Sequence, residues 1–260
     1  MDLNLFQTIL VCAFAAILFL SAVFVFAQQK KRFDLIDSAW GMTFIVITIT
    51  GAIVHGFSAP ILLISGLVAI WGTRLSYHIF RRFIRSDHED KRYIELRKKW
   101  QGNLAVNAYF RIYIVQAILA TLVCLSVIIL QYYKATFSPI IMIGLIVWVI
   151  GFLFESIGDR QLKQHLANPK NKGKLMTTGL WRYTRHPNYF GEATMWWGIW
   201  VMTLATPGWA IALISPLLIT YLLVFVSGVK ATEAQFKGRP GWKEYQDRTS
   251  VFLPLPPKRV

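Results

Sequence analysis

The sequence predicts an all-α integral membrane protein of about seven transmembrane helices, with the N-terminus outside and the C-terminus in the cytoplasm. Three observations carry that expectation. The 260-residue chain is 55% hydrophobic and only 16% charged, whereas a soluble domain carries about 25% charged residues. The apolar residues fall in blocks of about 20, the length of helix that crosses ~30 Å of hydrocarbon. Lysine and arginine alternate between rich and poor connections, as the positive-inside rule requires.

The blocks are 3–27, 38–56, 58–80, 108–132, 137–157, 188–206 and 208–229. No small-residue cleavage site follows the first, so it reads as a retained helix rather than a signal peptide. The first connection holds Lys30, Lys31 and Arg32, and the second holds no cation. The third, Arg81 to Lys99, holds eight, the fourth only Lys134, and the fifth, Arg160 to Arg185, holds seven. The sixth holds none, and the tail from Lys230 holds seven. This alternation accounts for the net charge of +15 without nucleic acid. Little sequence is left for a soluble domain, so residues 1–260 read as one membrane domain. Cys12 and Cys124 sit inside apolar blocks and suggest core filling, not a disulfide or a metal site. The chain has no Rossmann glycine fingerprint and no P-loop, and no metal is expected.

The densest polar stretch is Gly179-Leu-Trp181-Arg182-Tyr183-Thr-Arg185-His186-Pro187-Asn188-Tyr189-Phe190-Gly191-Glu192. Cationic side chains beside a helix N-terminus form an anion site. Asn188 and Glu192, four apart in an apolar helix, are costly in lipid without a partner. The pattern predicts an anionic cofactor bound where helices leave the bilayer on the basic side. Ahead of it, Glu155, Asp159 and Lys163 recur at i, i+4 and i+8 and form one stripe. That stripe reads equally as the wall of a polar cavity or as an interfacial helix end with an internal ion pair. Segment 81–107 carries both signs of charge and reads as a solvated amphipathic connector in which Glu95 and Lys99 pair. Arg74, near the cytoplasmic end of the third block, either snorkels to the interface or joins Tyr77 and His78 in facing a pocket. The tail holds Glu233, Gly241-Trp-Lys-Glu-Tyr245, Arg248 and Phe252-Leu-Pro254. Its aromatic residues and prolines suggest that it folds back and docks.

Arg185-His-Pro-Asn-Tyr-Phe-Gly-Glu192, with the tail from Glu233 through Tyr245 to Pro254, resembles the steroid 5-alpha-reductase-like superfamily. That superfamily includes the sterol C14 reductases and a bacterial membrane branch. Asp159-Arg-Gln-Leu-Lys163, followed by Asn168-Pro169, resembles the stretch before this motif in sterol reductases. The likeness covers residues 145–260 and leaves 1–132 as variable, substrate-side helices. It implies an NADPH site on the cytoplasmic face of a bacterial inner membrane. It also implies hydride transfer to a double bond of a hydrophobic, lipid or steroid-like molecule that enters from the bilayer. By motif match the cofactor contacts are Asp159, Gln161, Lys163, Trp181, Arg182, Tyr183, Arg185, His186, Asn188 and Glu192. Glu233, Tyr245 and Arg248 close the site from the tail. The chemistry suits a dinucleotide, because phosphates need Lys and Arg donors while the carboxamide and ribose hydroxyls need Asn, Asp and Glu. In steroid 5-alpha-reductases a Gln-Glu pair in the second helix and a Tyr in the third polarise the ketone. This chain has no Gln-Glu dipeptide. Asp37 is the nearest acid, and Trp71 or Tyr77 stands in for the aromatic. Asp37 and Tyr77 are therefore the residues expected to stabilise the enolate and supply a proton.

Isoprenylcysteine carboxyl and phospholipid methyltransferases share an Arg-His-Pro-x-Tyr element and a tail glutamate, and they bind S-adenosylmethionine. Asn188, the Asp159 to Lys163 stripe and the number of spans favour the reductase. A structural or lipid-binding bundle is the third reading. Glu155 and Glu192, each expensive within apolar sequence, argue against it.

Overall fold

The computed structural model describes residues 3–258. Every regular element among them is helical, and the one isolated bridge pairs Thr184 with Ser250. The first seven helices are α1 (Leu5–Lys30), α2 (Leu35–His55), α3 (Ala59–Ile84), α4 (Lys91–Lys98), α5 (Leu104–Ala108), α6 (Val115–Val123) and α7 (Leu125–Tyr132). Six more follow: α8 (Pro139–Ala167), α9 (Pro187–Thr203), α10 (Trp209–Ala212), α11 (Ile214–Tyr221), α12 (Val229–Ala234) and α13 (Trp242–Arg248).

Among the described residues, six helical stretches are long and apolar enough to cross a membrane: Leu5–Lys30, Leu35–His55, Ala59–Ile84, Leu104–Val123, Pro139–Ala167 and Trp209–Ala234. The 188–206 block folds as α9, which has 17 residues. Large apolar side chains lie open along the spans, Phe6 at 68% and Ile53 at 66% exposure among them. Such surface needs hydrocarbon rather than water, so the chain is an integral membrane protein.

Two compact units emerge. One comprises residues up to Phe137 together with Ala205–Ile214, and the other comprises Ser138–Leu204 and residues from Ser215 onward.

In the first unit, Asn4 caps α1 reciprocally with Gln7, a capping box that satisfies two open backbone donors. Helices α2 and α3 touch backbone to backbone where Gly41 meets Gly72. Gln131, fully buried on α7, donates to the Thr48 carbonyl (2.8 Å). The connector after α3 is less solvated than its charge suggests. Glu89 and Tyr93 are only 9% and 8% exposed. Glu89 accepts from the Phe33 amide (2.7 Å) and pairs with Arg97. Glu95 pairs with Lys98 (2.6 Å) in place of Lys99, because positions three apart also adjoin on a helix.

In the second unit, α8 and α9 form the central pair. Gly144 and Gly151 on α8 are seven residues apart, as are Gly191 and Gly198 on α9. A Cβ at Gly151 would lie 2.6 Å from both the Gly191 carbonyl oxygen and the Met195 amide nitrogen. Gly144 and Gly198 oppose each other in the same way. Small residues at a seven-residue repeat let two membrane helices approach along a common seam. Glu155 and Glu192 are buried in this pair, at 2% and 7% exposure.

Candidate functional site

The site begins where α9 starts. Pro187 occupies the first turn of α9, where its fixed φ suits a helix and its missing N–H costs nothing. Asn188 follows, on the α8 side, and its Nδ2 donates to Asp159 Oδ1 of α8 (3.2 Å). Its Oδ1 is buried with no hydrogen-bond partner among the described residues. Lys163 lies exposed one turn beyond Asp159 on the same helix.

A short 3-10 turn, Gly179–Arg182, fastens the segment ahead of α9 to α8. Gln161 accepts from the Leu180 amide (3.0 Å), and Trp181 Nε1 donates to the Gly158 carbonyl (3.1 Å). Gly179 sits at φ +64°, and the Gln161 carboxamide fills the space a Cβ would need, so both its backbone and its neighbour call for glycine.

The tail folds back onto this turn. The Arg185 amide donates to the Ser250 carbonyl (2.9 Å), and the Leu255 amide donates to the Tyr183 carbonyl (3.0 Å). Tyr245 Oη donates to the Trp181 carbonyl (2.6 Å), and burial raises the pKa of that hydroxyl. Arg185 is the clasp. Its Nε donates to Glu233 Oε1 (2.8 Å), and its Nη1 donates to the carbonyls of Gln246 (3.1 Å) and Thr249 (2.6 Å). The guanidinium also lies 5.7 Å from the Trp242 ring centroid, within cation–π range.

Beside the clasp, a cavity of about 500 Å³ opens between the loop after α8 and the tail. Lys174, Arg182 and Arg248 line it, with Glu244 as its one acid among the described residues.

A family profile described as "Protein of unknown function (DUF1295)" matches residues 23–249. The chain belongs to the DUF1295 family. Two curated proteins show partial likeness to this DUF1295 member. A stretch of 76 residues is 34% identical to 3-oxo-5-alpha-steroid 4-dehydrogenase 1 of Bos taurus, covering 29% of this chain and 29% of that protein. A stretch of 52 residues is 38% identical to probable O-methyltransferase ustE of Ustilaginoidea virens, covering 20% of this chain and 18% of that protein. The DUF1295 chain thus spans less than a third of either relative. No solved structure matches it.

The structure brings most of the expected cofactor residues of the DUF1295 chain into one region of the second unit, in two roles. Asn188 and Asp159 meet at the α8–α9 junction, Arg182 and Arg248 line the cavity, and Lys163 is exposed on α8. Gln161, Trp181, Arg185, His186, Glu233 and Tyr245 hold the frame by internal hydrogen bonds. Glu192 is buried on α9, and Tyr183 is 43% exposed. Lys174 was not anticipated, and only the cavity reveals it.

The two expected proton-delivery residues lie in the first unit with separate partners. Asp37 accepts from Arg92 Nη2 (2.6 Å) and from Tyr93 Oη (2.5 Å). Burial, reinforced by the Asp37 carboxylate, pushes the Tyr93 hydroxyl well above its ordinary pKa, so it stays protonated and donates. Tyr77 is 60% exposed and accepts from Arg81 Nη1 (3.3 Å).

His186, 2% exposed, stacks on Tyr189 with centroids 5.4 Å apart. Its Nε2 lies 3.2 Å from Glu233 Oε1. A carboxylate only accepts, so Nε2 carries the proton. Burial lowers the imidazole from 6.5 to about 4, against the opposing pull of Glu233; at neutral pH the contact is a hydrogen bond to neutral histidine rather than an ion pair. Between pH 6.5 and 4 the unfolded chain takes up a proton that the folded chain refuses. The stability contributed is therefore complete above pH 6.5 and falls as pH drops through that window. A shift of this size corresponds to on the order of 3 kcal/mol. Melting the detergent-purified protein from pH 7.5 down to pH 4.5 should show this loss, and His186→Asn should flatten the slope. Equal slopes in the two proteins would remove the assignment.

Proposed function

We propose that this protein is a membrane-embedded NADPH-dependent reductase that adds hydride to a double bond of a hydrophobic, lipid or steroid-like molecule entering from the bilayer. The observation that carries the reading is the cavity lined by Lys174, Arg182 and Arg248. Three cations around one concavity suit phosphates, which accept charge-assisted hydrogen bonds from Lys and Arg. S-adenosylmethionine carries a net positive charge and no phosphate, so three cations suit it less well than a dinucleotide. The unpartnered Asn188 Oδ1 suits an amide donor such as a carboxamide. The partial likeness to a 3-oxo-5-alpha-steroid 4-dehydrogenase supports the same class, and the likeness to an O-methyltransferase keeps the methyl-transfer alternative as its competitor.

The residues present fit a dinucleotide. Lys163, Arg182 and Arg248 would hold phosphates, while Asn188, Asp159 and Glu192 would hold carboxamide and ribose hydroxyls. Bound NADPH supplies the hydride. The chain's own part is orientation. Trp181, Gln161 and Tyr245 fix the 3-10 turn that carries Arg182, and Arg185 with Glu233 holds the tail that carries Arg248. Asp37 and Tyr77 are proposed for proton delivery on their chemistry alone. The cytoplasmic side is proposed on the Lys and Arg alternation, and a bacterial inner membrane on the motif's resemblance to the superfamily's bacterial branch.

Calorimetric titration of the purified protein with NADPH, and separately with S-adenosylmethionine, tests the class. NADPH alone should bind. Asn188→Ala, Lys163→Ala and Glu192→Ala should each weaken that binding by roughly tenfold, the loss of one good hydrogen bond to a charged or buried group. Binding of S-adenosylmethionine alone would transfer the protein to the methyltransferases.

A further inference from the structure

The cavity beside the tail has more definite chemistry than the reductase reading requires. Its walls come from three separate places in the second unit: the loop at Gly173 and Lys174, the 3-10 turn at Arg182, and the tail helix at Gly241 and Arg248. At about 500 Å³ it lies within the range of small-ligand sites, 300–1,000 Å³. No carboxylate pairs with Lys174 or Arg182 among the described residues. Arg248 Nη1 lies 3.3 Å from Glu244, but both side chains are more than half exposed, and such a pair contributes little and yields readily. Two to three cations therefore converge on one concavity without a committed anion. Thr177 and Thr249 belong to the same lining.

We propose that this cavity seats the 2′-phosphate of the adenosine end of the nucleotide, and so separates NADPH from NADH. The inference rests on the reductase reading. The division of chemistry along the protein supports it. Asn188, Asp159 and Glu192 lie on α8 and α9, whereas Lys174, Arg182 and Arg248 line the cavity. A dinucleotide divides in the same way, with an uncharged carboxamide at one end and a phosphate monoester dianion at the other. One short piece of chain joins the two regions. Trp181 is bonded to the Gly158 carbonyl, next to Asp159, and the adjacent Arg182 lines the cavity. Arginine and lysine together match a phosphate monoester, the fork bidentately and the ammonium as a point charge.

The test is calorimetric binding of NADPH, NADH and 2′,5′-ADP to the parent protein, Lys174→Ala and Arg182→Ala. Both positions are exposed, so the variants should keep the parent's melting midpoint. The parent should bind NADPH more tightly than NADH. Each variant should lose about 10- to 100-fold in affinity for NADPH and 2′,5′-ADP while binding NADH as the parent does. Equal losses for NADPH and NADH, or no loss for either, would overturn the assignment and leave the reductase reading standing. A parent that binds S-adenosylmethionine but neither dinucleotide would overturn the reductase reading itself. Glycerol 1-phosphate binding as tightly as 2′,5′-ADP would identify a lipid-headgroup site and overturn the nucleotide assignment.

Discussion

Arg185→Ala should release the tail and destabilise the second unit by about 3–5 kcal/mol, the range for removing one partner of a buried ion pair. Arg185 is 9% exposed and holds three acceptors: Glu233 and the carbonyls of Gln246 and Thr249. Its loss leaves the Glu233 carboxylate with only the neutral donors His186 and Gln246 and the two carbonyls short of a donor. Lysine restores the charge but not the fork, so Arg185→Lys should recover only part of the stability. The readouts are the melting midpoint in detergent and trypsin cleavage between residues 230 and 258. An Arg185→Ala protein as protease-resistant as the parent would show that the tail is held by something else.

Gly151→Ala and Gly191→Ala should each cost roughly 1–3 kcal/mol, the usual penalty of overpacking. The added methyl at Gly151 meets backbone atoms of α9 at 2.6 Å, and backbone, unlike a side chain, has no alternative rotamer to adopt. Separation of α8 from α9 would also move Asn188 from Asp159, so nucleotide affinity should fall together with stability. Gly66→Ala on α3 is the control, because no atom lies within 4 Å of its new methyl. A Gly151 variant that melts with the Gly66 variant would contradict the close helix approach.

The helices were legible because lipid imposes length and composition on any segment that crosses it, and the apolar blocks keep that record. Interruptions within them were not. The stretch from Leu104 to Val123 contains a π-helical turn at Tyr109–Ile114, and Tyr113 there reaches the Phe33 carbonyl (3.2 Å). Such contacts join residues 80 apart, and hydropathy carries no sign of them. The polar site was legible as a set of residues, since Arg182, Asn188 and Glu192 are conspicuous in apolar surroundings. Their division of labour was not. Arg185 and Arg182 look alike in sequence, yet one faces a cavity and the other is enclosed by the tail, a difference settled by Glu233 nearly 50 residues away. The glycine seam had a signal that went unread: the intervals 144–151 and 191–198 are both seven. In connector 81–107, the many opposite charges hid a buried Glu89 and Tyr93, because a charged run looks the same whether it faces water or its own partners.

The docking of the tail also sets an order of events during biosynthesis. Residues 182–186 leave the ribosome well before Glu233, Thr249 and Ser250 exist, and chains fold from the N-terminal side as they are made. For that interval Arg185 has none of its final acceptors, and the start of α9 must wait at the membrane surface with an unmatched cation. The candidate site is therefore completed late in translation. A chain stopped between residues 200 and 230 would insert its helices yet lack the clasp, and would be the form most exposed to the membrane's quality-control proteases.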